Sequence, residues 1–118
     1  MINVSQLNQR YGGSQILWDL NMDIAAGSRT CIMGRNGVGK TSLLKCLMGM
    51  LPAASGSITI NQQDVTRASI ESRANIGVGY VPQGRHIFGQ LTVEENLKVS
   101  LNCKRQTSRS LPEDIFEY

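Results

Sequence analysis

Histidine is nearly missing from this 118-residue chain, where His86 stands alone. No cysteine or carboxylate is spaced with it as a ligand set or a catalytic pair, so no metal centre and no histidine base is expected there. The cysteines, Cys31, Cys46 and Cys103, are odd in number and widely spaced. That pattern predicts three thiols in a reducing compartment rather than a disulfide framework or a zinc site. Long apolar runs are also lacking, and nothing approaches the ~20 residues that a membrane span needs. The opening residues Met1-Ile2-Asn3-Val4-Ser5-Gln6 hold no basic region followed by an apolar run, which predicts no secretory leader there. Internal repeats and low-complexity segments do not occur. The net charge is +3, but the basic residues are scattered apart from Lys104, Arg105 and Arg109. No basic stripe is present, so no nucleic-acid partner is expected.

What remains is the composition of a soluble globular protein, 41% hydrophobic and 18% charged. The length suits one small domain. Along 16–24 the residues alternate, with Ile16, Trp18, Leu20, Met22 and Ile24 on one face, which predicts a half-buried strand with Trp18 in the core. Tyr11-Gly12-Gly13-Ser14 reads as the turn before it, and Ile2-Asn3-Val4 as a shorter strand. Ala26-Gly27 turns the chain into a strand over 29–33, with Cys31 and Met33 as core residues. A helix is predicted over 40–48, with Leu43/Leu47 and Leu44/Met48 as (i, i+4) pairs on its apolar face and Gly49 and Pro52 ending it. Short strands are expected over 57–60 and over 76–81, the latter interrupted by Gly77 and Gly79 and closed by Pro82. Thr92-Val93-Glu94-Glu95 is a capping box opening a helix to about Leu101. Residues 108–118 show no pattern.

The strongest feature is Gly34-Arg35-Asn36-Gly37-Val38-Gly39-Lys40-Thr41, which satisfies G-x-x-x-x-G-K-[ST] in full. Glycines let the backbone curl until successive N–H groups converge on phosphate oxygens. A helix starting near Lys40 adds its positive dipole end. Lys40 is placed to reach the β- and γ-phosphates, and the Thr41 hydroxyl to ligate Mg²⁺, a hard ion that prefers oxygen. A strand before the loop and a helix after it are the context that the motif requires. Ser42 either assists the phosphates or is simply an early helix residue.

With Tyr11 upstream, Tyr80-Val81-Pro82-Gln83-Gly84-Arg85-His86-Ile87-Phe88 and Leu91-Thr92-Val93-Glu94-Glu95-Asn96-Leu97 downstream, the chain resembles the first half of an ABC-transporter ATP-binding subunit. The segments 80–88 and 92–97 resemble the importer subunits for branched-chain amino acids and urea. The resemblance implies an α/β, P-loop NTPase-like fold: an antiparallel β subdomain plus a partial parallel core sheet with helices, the truncated form of the domain. Residues 1–91 would hold the β subdomain and partial core, and 92–118 the start of the helical subdomain. It implies ATP and Mg²⁺ as cofactors, with Gly34, Asn36, Gly37, Val38, Gly39, Lys40, Thr41 and Ser42 around the phosphates. Tyr11 would stack on adenine. Gln83 would join Lys40 in catalysis and Thr41 in the metal shell. The implied partners are membrane-spanning permease subunits, which His86 would contact from the surface, and a second ATP-binding subunit. The implied location is cytoplasmic, peripheral at the inner face of the membrane.

The family's signature Leu-Ser-Gly-Gly, its Asp-Glu-ended strand and its switch histidine do not occur in these residues. Phosphoryl transfer rests on positioning and electrostatic stabilisation, so little ATPase activity is expected of this chain alone. A truncated, non-catalytic interaction module is therefore the competing reading. Strand edges left unpaired predict self-association. A different P-loop enzyme, such as a small-molecule kinase, would need an acceptor site and a basic lid, and Tyr11 with Gln83 argues against it.

Overall fold

The first extended segment runs further than Ile2-Asn3-Val4, although the apolar–polar alternation breaks at Ser5-Gln6. It makes a ten-residue strand β1 (Ile2–Tyr11), which folds back at Gly12-Gly13 onto β2 (Ser14–Ile24). The computed structural model describes residues 1–84, 86–103, 111 and 113–116, and the chain divides into two compact units, one up to Arg73 and one from Ala74 onward. In the first unit, β3 (Ser55–Ile60) pairs antiparallel with the other edge of β1, and a two-residue strand β4 (Gln63–Asp64) pairs with β3. The sheet order is β2-β1-β3-β4.

The β1–β2 ladder is bulged, and the bulges decide which side chains face inward. Leu7 pairs with Leu20, but Gln9 pairs with Leu17, so two steps on β1 oppose three on β2. A side-chain period of two means that one extra residue flips everything beyond it to the other face. Leu20, Met22 and Ile24 keep the expected half-buried side. Past the bulge, Leu17 is buried and Trp18 is 70% exposed, which corrects the expectation of a core tryptophan. Asp19 sits at the bulge with φ +41. The Asn8 side chain pins it there: its Nδ2 donates to Asp19 Oδ1 at 2.8 Å, and its Oδ1 accepts from the Asp19 N–H at 3.0 Å.

The β3–β4 hairpin, unforeseen from the sequence, turns through Asn61 and Gln62, both at positive φ. That is the signature of a type I′ turn, made here without its usual glycine. Thr66 then ties the hairpin: its Oγ1 accepts from the Ile58 N–H at 2.9 Å, and its own N–H donates to Asp64 Oδ1 at 2.9 Å. Hydrogen bonds from Thr66, first its backbone N–H, hold the Asp64 carboxyl below its ordinary pKa.

One helix, α1 (Lys40–Met48), buries Leu43, Cys46, Leu47 and Met48, while Leu44 is exposed, against expectation. With Val4, Leu7, Leu17, Ile58, Ile60 and Val65 of the sheet and its hairpin, these residues form the buried apolar set. Each fully buried aliphatic side chain of this kind is worth roughly 1.5–3 kcal/mol. A short helix α2 (Ile70–Asn75) spans the division at Arg73.

The strands expected over 29–33 and 76–81 do not form. The first is unpaired among the described residues, with Cys31 exposed and Met33 85% exposed, so neither is a core residue. In the second, Ile76, Val78 and Tyr80 are half-buried while Gly77, Gly79 and Val81 point to solvent. The period of two is thus present in the side chains although no ladder is made. A strand is a pairing and not a local state, so alternation alone cannot create one.

In the second unit the capping box is present as expected. The Thr92 N–H donates to Glu95 Oε2 at 2.7 Å and the Glu95 N–H to Thr92 Oγ1 at 3.2 Å, starting α3 (Val93–Val99). A 3₁₀ turn, Ser100–Cys103, follows, and another spans Glu113–Phe116. Hydrogen bonds with Thr92, first the backbone one, hold the Glu95 carboxyl below its ordinary range. Replacing Thr92 with alanine should cost about 1 kcal/mol of helix stability, read as faster amide exchange in α3. A carboxyl whose folded-state pKa is depressed stabilises fully above its unfolded value of about 4.3. The difference between the two proteins should therefore shrink as the pH falls through the lower folded value. Arg85, Lys104, Arg105 and Arg109 lie outside the described residues, as does most of 108–118. Among the described residues, no helix is long and apolar enough to cross a membrane.

Candidate phosphate-binding site

The segment 34–41 enters α1 through two glycines at positive φ, Gly37 (+83) and Gly39 (+103). Gly39 is the N-cap and contributes no side-chain hydrogen bond to the helix. The Leu43 N–H bonds to the Gly39 carbonyl at 2.9 Å, and the first turn of α1 holds no acidic residue. The amides of Lys40, Thr41 and Ser42 are thus donors at the positive end of a helix dipole with no side-chain cap competing for them. Gly39 is also where the loop meets the sheet. A Cβ there would lie 3.0 Å from both Ile16 Cγ2 and Leu17 Cδ2 of β2, so those side chains would have to give way, and φ +103 would strain any residue but glycine.

Lys40 folds back over its own loop. Its Nζ donates to the Gly34 carbonyl at 2.5 Å and to the Arg35 carbonyl at 2.6 Å. A Cβ on Gly34 would sit 3.0 Å from Val38 Cγ2 and 4.0 Å from that ammonium. The loop therefore wraps a single cation, with Asn36, Gly37 and Val38 exposed around it, Thr41 exposed at the helix start and Ser42 half-buried behind. Backbone amides, an ammonium and a hydroxyl at one helix end are the donor set that polyphosphate requires. Of that set only the Thr41 hydroxyl oxygen suits Mg²⁺, which is bound through one or two protein oxygens plus substrate phosphates rather than a full protein cage. Among the described residues no group of three His, Cys, Asp or Glu makes such a cage.

Tyr11 is 59% exposed and ends β1 at the hairpin tip, paired with Ser14. That hairpin is the one whose Ile16 and Leu17 abut Gly39. Gln83 belongs to the second unit, where it is exposed and its carbonyl accepts from His86 Nε2 at 3.0 Å.

Two residues of structural weight escaped the sequence. Asn96 gathers the turn before α3: its Oδ1 accepts from the Phe88 N–H at 2.9 Å and its Nδ2 donates to the carbonyls of Phe88, Leu91 and Thr92. Its position four residues after the Thr92 cap was the available signal. Arg73 is 2% exposed and, among the described residues, makes no ion pair; its hydrogen-bond partners there are backbone carbonyls. Nothing in the sequence marks an arginine for that role. Burial lowers its pKa, and burial raises that of the neighbouring Cys46 thiol against the opposing pull of Arg73.

The profile of the ABC transporter family matches residues 17–116. The chain belongs to the ABC transporter family. A probable branched-chain amino acid transport ATP-binding protein, LivF, of Archaeoglobus fulgidus is 38% identical over 85% of this ABC domain and 42% of its own length. The lipopolysaccharide export ATP-binding protein LptB of Escherichia coli K12 is 30% identical over 96% of the chain and 47% of its own length. The chain thus spans less than half the length of these curated relatives. A dimeric bacterial ABC transporter cassette superposes with a TM-score of 0.79 at 22% identity, covering 97% of this chain and 51% of that one. The fold is therefore that of the ABC cassettes, and the chain spans about half of that solved cassette.

Proposed function

We propose that this chain binds Mg-ATP through the loop 34–41 as the N-terminal part of an ABC ATP-binding subunit. The observation that carries the reading is the Lys40 ammonium held at the mouth of a loop that leads into the uncapped first turn of α1. Gly34, Asn36, Gly37, Val38 and Gly39 supply the amide cradle, Lys40 the charge, Thr41 the metal ligand and Ser42 a further hydroxyl. Tyr11, exposed at the hairpin tip, is the residue proposed for the adenine, and Gln83 is proposed as a metal ligand on the resemblance of 80–88 alone.

The whole protein would energise movement of a small solute, with branched-chain amino acids or urea as the first class to test. Support for that class is the 38% identity to a LivF-type protein; the similarity to LptB, a lipopolysaccharide exporter subunit, makes the solute the least constrained part of the proposal. Permease subunits and a second ATP-binding subunit are the proposed partners, at the inner face of the membrane. The unpaired segment 29–33 offers an edge to another strand as well, which supports self-association as a second mode of contact.

A thermal melt with and without Mg-ATP tests the nucleotide reading. A ligand specific to the folded state at 100 times its Kd adds about 2.7 kcal/mol. The melting temperature should rise by several degrees with millimolar Mg-ATP and much less with adenosine. An unmoved melt at saturating Mg-ATP removes the proposal.

A further inference from the structure

We infer that Arg73 is a positioning residue for the phosphate loop, acting through the far end of α1. The helix has nine residues, below the length at which a helix stands alone in water. Its buried face (Leu43, Cys46, Leu47 and Met48) holds it to the core, and its rotation and axial position are fixed further by what grips its ends. At the N-terminal end the grip is the contact of Gly39 with Ile16 and Leu17. At the C-terminal end it is one guanidinium. Arg73 Nη1 donates to the carbonyls of Cys46 and Leu47, both at 2.7 Å, in the last turn of α1. Its Nη2 donates to the Thr66 carbonyl and its Nε to the Ala68 carbonyl, both at 3.2 Å.

The planar fork thus bridges two stretches of backbone, the end of α1 and the segment 66–68. A guanidinium has fixed donor directions, so four such bonds set the rotation of α1 about its axis as well as its position along it. The first-turn amides at the other end, roughly 13 Å away, are carried with it. Among the described residues, the charge is held without a carboxylate. Its compensation is the negative end of the helix dipole, at the opposite pole from the one that faces phosphate. Lysine cannot substitute, because a point charge on a flexible stem cannot satisfy four carbonyls lying in different directions.

The nucleotide half of this inference rests on the Mg-ATP reading above; the helix half does not, and the experiment separates them. The whole chain carrying Arg73→Lys, with Arg73→Met as the harsher form, is compared with Ile58→Val, a core change in β3. Amide exchange is followed in α1 and in β1–β3, and Mg-ATP affinity is measured at a temperature where circular dichroism shows each protein folded. In Arg73→Lys, the α1 amides at Leu44 and Leu47 should exchange about tenfold faster while those of Val4 and Ile58 change little. The Mg-ATP Kd should rise about tenfold, whereas Ile58→Val should leave it within about twofold. Faster exchange spread evenly over helix and sheet overturns the inference, as does an unchanged Kd alongside a loosened α1. Failure of both Arg73 variants to fold also overturns it, by making Arg73 a general folding residue. If the unaltered chain binds no Mg-ATP, the nucleotide reading fails, and the exchange pattern alone decides whether Arg73 positions α1.

Discussion

Lys40→Ala should abolish measurable Mg-ATP binding and leave the four-stranded sheet melting where it did. The two halves of that expectation come from different places. Lys40 is half-buried, and its ammonium touches only the carbonyls of Gly34 and Arg35 in its own loop. None of the buried core residues depends on it, and alanine is a better helix former than lysine at the first position of α1. Two neutral-acceptor bonds at an exposed loop are replaced by water at little net cost. Phosphate is a different partner. A charge-assisted hydrogen bond to it is worth roughly 1.5–3 kcal/mol, and an ammonium between two phosphates makes more than one. The loss should be about a hundredfold or more in Kd, which calorimetric titration reads directly. Wild-type affinity in the variant would mean that nucleotide, if bound, is not held by this loop.

How much of this was legible beforehand depends on how local the cause is. The phosphate loop and the capping box were readable because glycine spacing and a Thr–Glu pair act within a few residues of themselves. The alternation of β2 was readable too, but its bulge was not, since the extra residue at Asp19 is specified by Asn8 on the neighbouring strand. Trp18 and Leu17 exchange places for that reason alone. At 29–33 and 76–81 the sequence encodes side-chain alternation, and the pairing belongs to whatever strand lies alongside. Asn61-Gln62 adopts a turn usually signalled by glycine, so β4 was hidden. Arg73 was hidden because its partners are carbonyls, which every residue has. The loop was therefore more legible than the frame around it: its glycine spacing is written in one octapeptide, whereas the residues that α1 touches lie elsewhere in the chain.

Gly56→Ala tests that frame, and it should remove most of the first unit's stability. Gly56 lies opposite the bulge of β1, where Ser5 pairs with Ser57 and Asn8 with Ser55, three steps against two. It takes φ +91, and a Cβ there would stand 2.4 Å from the Gln6 carbonyl oxygen and 2.6 Å from that of Ser5. Both obstacles are backbone, in the middle strand of the sheet, so no rotamer change relieves them. A left-handed conformation forced on alanine costs of order 1–3 kcal/mol before any clash is counted. With the clash the total should reach about 4 kcal/mol, against a stability that for a small domain is near 5. Urea denaturation should show the midpoint collapsing. Because β1 also pairs with β2, and β2 carries the Ile16 and Leu17 against which Gly39 rests, phosphate binding should fall in step with the folded fraction. That is the opposite of the Lys40→Ala pattern, in which binding is lost from a protein that remains folded. A Gly56→Ala chain that melts like the wild type would show that β1 and β3 are not paired in the register described.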